Sequence, residues 1–329
     1  MKVLYGFFSG IGDVVAIAPL AKKLSEKHKV VFAVNSKLDS LLKIMDVKNF
    51  DIIYFYDKSL INIFKNIFFI IKIYFLNFDL IIFSPHASHN NGSTKKIPFF
   101  LKLFKRKETI FLGNISDNNS YFFEKKIKSN LQLSIFEREL DLLKCAKLFD
   151  DFKDISNHIF SLKLRKKSNK IVFNPFAGLD NRVLPFWHYK IIIPYLLKNC
   201  SRDIYFIGPS TRISLIENEL SFIESNRLFF VSGSLENSIK ILLDSNLVIT
   251  MDSGFSHISA ALGIKQLLIN GASNFELIKP NSNKLFRFEE ISISCQPCNK
   301  NHCKMKSNYC LSNISPFNLS IKILELSES

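Results

Sequence analysis

The sequence predicts an α/β chain made of two doubly wound units, and three observations carry that reading. Short runs rich in Val, Ile and Phe alternate with amphipathic stretches of helical length, the pattern of parallel sheets covered on both faces. The alternation breaks at a polar, basic segment, Leu-Arg-Lys-Lys-Ser-Asn-Lys at 164–170, and then restarts. The 329 residues suffice for about two domains of roughly 150 residues each. We place the boundary near Lys166, which gives units 1–166 and 167–329.

In the first unit the strand-like runs are Val3–Phe8, Val30–Val34, Ile52–Tyr56 and Leu80–Phe83. Between the first two, a helix over Val14–Lys27 puts Val14, Ile17, Leu20, Ala21 and Leu24 on one face. The apolar run Leu60–Leu76 is interrupted by Lys65 and Lys72. A span needs about 20 apolar residues, so this run reads as a helix that does not cross a membrane. We read it as a core helix in preference to a membrane-facing one. In the second unit the order is strand Ile171–Asn174, helix Trp187–Asn199, strand Asp203–Ile207, helix Ile213–Glu224 and strand Leu228–Val231. It continues with helix Leu235–Ser245, strand Leu247–Thr250, helix Ser253–Leu262 and an amphipathic final helix near Pro316–Leu326. Ligands of such sheets bind beyond the carboxyl ends of the strands.

Hydrophobic residues make up 47% and charged ones 22%, which excludes a disordered chain. The net charge of +15 favours anionic partners: nucleic acid, acidic lipid or phosphorylated substrates. Met1-Lys2 leads directly into the first strand, without the apolar segment and small-residue cleavage site of a signal peptide. A cytoplasmic chain is expected, and its six cysteines are then thiols or metal ligands rather than disulfides.

Two strand ends carry candidate chemistry. Ser9-Gly10-Ile11-Gly12-Asp13 closes the first strand and opens the first helix. Its glycines allow close backbone approach, and the helix start offers free N–H groups. Asp13 could simply be the N-cap. A dinucleotide site is a poor fit, because Val15 replaces the third glycine and Ala33-Val34-Asn35 lacks an acid for a ribose. Asp252-Ser253-Gly254-Phe255-Ser256-His257 ends a buried strand and begins a helix that closes at Gly263. Ser253, Gly254 and the first-turn amides could hold a diphosphate. His257, one turn further on, is either a structural hydrogen bonder or a ligand.

Together these stretches resemble the glycosyltransferase family 9 heptosyltransferases, and the resemblance runs along nearly the whole chain. Gly12-Asp13-Val14-Val15 with Pro19-Leu20 is similar to the family's N-terminal G-D-V motif. Asp252-Ser253-Gly254, Ser256-His257 and Ala260-Ala261-Leu262-Gly263 are similar to its D-[ST]-G-x-x-H-x-x-A-A-L-G motif. The resemblance implies a GT-B fold, two Rossmann-like domains facing across a cleft. It implies an acceptor on the first domain, a nucleotide sugar on the second, and a final helix packing back on the first. The implied reaction is an inverting transfer, usually from ADP-heptose, with no cofactor required. Asp13 matches the family's base and Asp252 a residue holding sugar hydroxyls. Ser253, Gly254 and His257 match residues around the diphosphate. Arg182, in Asp180-Asn-Arg-Val-Leu-Pro185, falls where the family has a phosphate-binding Lys, while Leu184 replaces its Trp. Gly178 and Ser234 match strand-end loops bordering the donor.

Cys295, Cys298, Cys303 and Cys310 form C-x2-C-x4-C-x6-C, which resembles the Cys-rich tail of many members. Four thiolates at such spacing could hold a structural zinc or iron, or be thiols in a surface loop. Phe99–Lys107 is apolar and basic, suiting an anionic inner-leaflet surface and an acceptor that is a lipid-linked glycan. The expected location is therefore the cytoplasm, peripheral on the inner membrane. Rival readings are a GT-B enzyme using another nucleotide sugar for O-antigen, capsule or protein glycosylation, a basic nucleic-acid-binding protein with a structural Cys cluster, and an inert scaffold. The nucleic-acid reading lacks an arginine-rich helix or an aromatic RNA-binding motif.

Overall fold

The computed structural model describes residues 1–57, 60–84, 101–102, 108–114, 123–128, 130, 132–148, 155, 159–160, 169–288, 290, 293–305 and 309–328. They fall into two units, Met1–Ser161 and Leu162–Ser329. The first runs β1 (Lys2–Phe8), α1 (Ile11–Leu24), β2 (Lys29–Asn35), α2 (Asp39–Leu42), β3 (Asp51–Phe55), α3 (Leu60–Leu76), β4 (Leu80–Phe83), β5 (Ile110–Asn114), β6 (Lys125–Ile127) and α4 (Ile135–Cys145). The second runs β7 (Lys170–Asn174), α5 (Tyr189–Asn199), β8 (Asp203–Gly208), α6 (Ser210–Glu219), β9 (Leu228–Ser232), α7 (Leu235–Leu242), β10 (Leu247–Met251) and α8 (Gly254–Ala261). It ends with β11 (Gln266–Ile269), α9 (Phe275–Ile278), β12 (Leu285–Phe288), α10 (Tyr309–Ser312) and α11 (Pro316–Glu328).

Both sheets are parallel, in orders β3-β2-β1-β4-β5-β6 and β12-β11-β10-β7-β8-β9. Numbered within its own unit, each reads 3-2-1-4-5-6. The strand order therefore reverses between β1 and β4 in one unit and between β7 and β10 in the other. Such reversals open a crevice at the strand carboxyl ends. The Asp13 and Asp252 stretches follow β1 and β10, so each lies at a reversal.

β1 departs from regular pairing at one residue. Its register against β2 slips between Gly6 and Phe8, leaving Phe7 as a bulge with φ of 75°. Gly6 has φ of 147°, and a Cβ there would lie 2.4 Å from the Ala33 carbonyl oxygen, so only glycine fits. A left-handed phenylalanine is strained, and packing must hold it. The Phe7 ring stacks on Phe83 with centroids 5.0 Å apart, and meets Phe69 edge-on and Phe55 at a tilt. The bulge also changes which face each side chain takes. Phe7 joins Leu4 in the core under α3, whereas Phe8 packs with Tyr5 and Phe32.

The sequence reads α3 as a plain core helix, and the structure corrects this. Its inner face buries Phe69 and Ile73, with Ile70 and Leu76 partly covered. Asn66 fastens that face by a two-way amide bond: it accepts from Tyr56 N–H at 2.9 Å and donates to Tyr56 O at 3.0 Å. Asn62 donates to Asp57 O at 2.9 Å. The opposite face, Phe64, Phe68, Ile71 and Phe75, is exposed. Of the Phe99–Lys107 stretch, Leu101 is buried in the first core and exposed Lys102 lies 3.9 Å from Glu124; the other seven residues lie outside the described ones. Among the described residues no helix is long and apolar enough to cross a membrane.

The final helix, α11, places Leu319, Ile323 and Leu326 in the second unit's core and packs on α5.

Gly6→Ala should destabilise the first unit by roughly 3 kcal/mol, because a Cβ would meet backbone that cannot swing aside. The check is a urea unfolding curve, with the Gly178→Ala variant, whose added Cβ would meet nothing within 4 Å, as the near-silent control.

Candidate active site

In the first unit, Asp13 sits in the opening turn of α1, whose N-cap is Gly10 and not Asp13 itself. The sequence expectation of an N-capping Asp13 is therefore shifted by one turn. The side chain reaches back instead, and the Gly10 backbone N–H donates to its carboxylate, which is half of a capping box. A Cβ at Gly10 would lie 2.8 Å from Asp13 Oδ2, so a larger residue there would have to shift the carboxylate. Gly12 lies within the same turn, and Ser9 is buried with its hydroxyl unpartnered among the described residues.

Burial pushes the Asp13 carboxyl up to about 7, while the Gly10 N–H and the positive charges of Arg138 and Lys37 act in the opposite direction without cancelling it. Arg138 and Glu139 come from α4, which the reciprocal Ser134–Glu137 capping box starts. Both are buried. Glu139 accepts from Tyr5 Oη at 2.6 Å and from Ser84 Oγ, so it ties β1 to the end of β4 across the strand reversal. Its carboxyl is also pushed up to about 7, by burial first, with Ser84, Tyr5 and Arg138 opposing. The site thus holds two carboxyl groups of near-neutral affinity for protons around one arginine. Sequence reading missed Arg138, Glu139 and Ser84. The available signal was Tyr5, a phenol in an otherwise apolar strand that must find a polar partner when buried.

In the second unit, one 3-10 turn, Asp180–Arg182, follows the loop after β7. It brings Arg182 Nη1 to 3.0 Å from Asp252 Oδ2. Ser273 Oγ donates to the same oxygen. Two predicted donor-binding residues are therefore paired with each other. Ser253 Oγ and Arg182 Nε are buried without a hydrogen-bond partner among the described residues. Gly254 opens α8, and His257 is buried one turn on. Burial lowers the His257 imidazole to about 4, so it is neutral near pH 7 and brings no positive charge. Arg182 supplies the charge there. Gly178 is exposed in the loop after β7. Ser234 is exposed too and caps α7, accepting from Asn237 N–H at 3.2 Å. Neither contacts the Arg182–Asp252 pair through any bond seen here among the described residues. Leu184, at the position of the family's Trp, is fully buried in the second core.

Cys295, Cys298, Cys303 and Cys310 line one cavity of about 320 Å³ with Asn181, Gln296 and Met305. All four are free thiols. Among the described residues, no three His, Cys, Asp or Glu side chains gather as a metal ligand set. As placed, the cysteines share a cavity without closing on a centre. Asn181 joins that loop to the donor-side turn, donating to Lys300 O at 2.6 Å.

A family model, Glycosyltransferase family 9 (heptosyltransferase), matches residues 114–308. Lipooligosaccharide heptosyltransferase 2 of Campylobacter jejuni serotype O:6 is 32% identical over 237 residues, covering 66% of this chain and 72% of that one. The E. coli heptosyltransferase WaaC with ADP has a TM-score of 0.74 at 16% identity, over 99% of this chain and all of that one. A glycosyl transferase family 9 structure from Veillonella parvula gives 0.75 at 17% identity, over 100% of this chain and 97% of that one. These likenesses establish the fold as GT-B.

The raised Asp13 affinity has a sign. Its folded value of about 7 exceeds its ordinary 3.8, so its contribution to stability is full below about pH 4 and lost as pH rises through about 7. Asp13→Asn removes that loss. The variant should be more stable than wild type at pH 8 by on the order of 2 kcal/mol, allowing for partial exposure, and the gap should close by pH 4. The Asp13 charge also helps to raise the Glu139 carboxyl, so paired urea titrations at the two pH values read Asp13 together with its coupling to Glu139.

Proposed function

The chain belongs to glycosyltransferase family 9, the heptosyltransferase family, and from that premise we propose that it transfers heptose from ADP-heptose to a lipid-linked glycan of the lipopolysaccharide core class, with Asp13 as general base. The observation that carries the reading is Asp13 itself. It stands at the strand reversal of its unit, with a proton affinity near 7, where a base can both lose and regain a proton at neutral pH.

In this reading the acceptor hydroxyl oxygen attacks the anomeric carbon as the bond to the ADP phosphate breaks. Asp13 takes the hydroxyl proton and the configuration inverts. Arg182 turns from Asp252 to the diphosphate, where two parallel donors suit phosphate oxygens. The Ser253 hydroxyl and the first-turn amides of α8 complete that cradle. Asp252, released, accepts from sugar hydroxyls. Gly178 and Ser234 border the nucleotide. No step requires a metal or other cofactor. The ADP and the ADP-2-deoxy-2-fluoro heptose named with the E. coli WaaC structures support an adenine nucleotide sugar. Location at the inner face of the inner membrane follows from the acceptor class. We read the cysteine loop as structural, anchoring the Arg182 turn through Asn181. A zinc or iron would require its thiols to draw together.

Asp13→Asn should lower turnover by roughly 10²–10⁴ while ADP-heptose affinity, read by calorimetry, stays near wild type. Wild-type turnover should rise with pH through about 7. Arg138→Met, which removes an opposing positive charge, should move that rise to higher pH. Turnover of the Asn variant near wild type would sink the base assignment. Stabilisation by UDP- or GDP-sugars in preference to ADP-heptose would replace the donor.

For the cysteine loop, elemental analysis of protein purified without chelator should find about one zinc or iron per chain if the thiols close on a metal. Four titratable thiols with no metal would leave an all-thiol structural loop.

A further inference from the structure

We propose that the outward face of α3 is a lipid-docking surface that seats the first unit on an anionic bilayer. Phe64, Phe68 and Phe75 are 70%, 70% and 71% exposed, and Ile63, Ile67, Ile71 and Tyr74 are between 41% and 51% exposed. With about 200 Å² of surface per ring, the three phenylalanines alone leave roughly 400 Å² of apolar area in water. A contiguous patch of that size marks an interaction site.

The helix is apolar on both faces, but among the described residues only one has protein against it. Asn62 and Asn66 on the inner face hydrogen-bond the backbone at the end of β3, so the helix cannot roll to hide the phenylalanines. At 17 residues it is about 25 Å long, which suits lying in an interface rather than spanning one. Charge selects the occupant. No acidic residue occurs in Leu60–Leu76, and its two cations, Lys65 and Lys72, are both exposed on one border of the stripe. Two-fold pairing with a second copy would set these lysines against the same lysines, with no carboxylate on the helix to offset them. Lipid phosphates offset them, and the long lysine stems let the ammonium groups reach headgroups while the rings enter the acyl boundary. The chain's charge of +15 acts in the same direction. The surface draws only its biological purpose from the lipid-linked acceptor proposed above; the helix geometry stands without it.

The test is partitioning of the full chain onto phosphatidylcholine vesicles with and without phosphatidylglycerol, containing no acceptor. Wild type should bind the anionic vesicles and release with salt. The variant Phe64→Ser/Phe68→Ser/Phe75→Ser changes only solvent-facing rings and should keep its melting temperature. It should lose at least tenfold in partitioning. Lys65→Gln/Lys72→Gln should lose roughly fivefold per lysine and flatten the salt dependence. Phe68→Trp in a Trp187→Phe background should shift its emission to the blue and be quenched by brominated lipid. Equal partitioning of wild type and the triple variant overturns the proposal. So does a wild-type dimer in light scattering that the triple variant converts to monomer, which would assign the face to a second copy. Turnover on a delipidated acceptor should be unchanged in the triple variant. Absence of turnover in wild type, with vesicle binding intact, would count against the enzymatic reading alone.

Discussion

The first unit depends on one strained residue. Phe7 occupies a left-handed backbone conformation at a bulge in β1, and such strain persists only where surroundings over-determine it. Here a stack on Phe83 and contacts with Phe55 and Phe69 hold the ring, while Gly6 lets the β2 backbone approach. The extra residue reverses the facing of everything after it. Tyr5 and Phe8 then share the side on which Glu139 receives the Tyr5 hydroxyl, and the chain leaves the sheet two residues before Gly10 meets the Asp13 carboxylate. A regular strand would send Phe8 toward α3 and misalign the turn that carries Asp13. The chain's 33 phenylalanines thus include a cluster with a mechanical task.

The second unit repeats the topology with different chemistry at the reversal. Its strand ends hold an ion pair, Arg182–Asp252, with a serine on the same carboxylate oxygen. The unit's own core supports this arrangement: Leu184 is buried two residues after Arg182, and Asn181, one residue before, reaches the cysteine loop. The pair is thus held from below by packing and from the side by the loop. α11 completes that core.

Much of this was legible in residue order. The central strands of both sheets and the helices after β1 and β10 announced themselves as apolar runs ending in glycine-containing turns. β6 and β12, at one edge of each sheet, did not. β6 has three residues, two of them exposed lysines, and β12 has four, too short for periodicity to speak. The Gly6–Phe7 bulge was invisible because every residue from Val3 to Phe8 is buried, so no alternation existed to be broken. Arg138 and Glu139 carried no local signal, since a local pattern cannot show that two elements distant in sequence close over them. The exposure of α3 was undetermined for a similar reason: a helix apolar on nearly all sides fits a core or a lipid surface, and the burial of Phe69 and Ile73 with the Asn66–Tyr56 bonds shows which face the sheet receives.

The Arg182–Asp252 pair bears on what happens after catalysis. In the proposed mechanism the donor does not enter a waiting hole; it exchanges for an internal partner. A complete nucleotide sugar compensates both halves of the broken pair, phosphate taking the guanidinium and sugar hydroxyls the carboxylate. The spent nucleotide compensates only one. In that mechanism, once the sugar has gone, Asp252 competes for Arg182 again, and re-forming the pair opposes retention of the product. The site would then favour charged over discharged carrier without reading the base at all, and turnover would be protected from inhibition by its own leaving group.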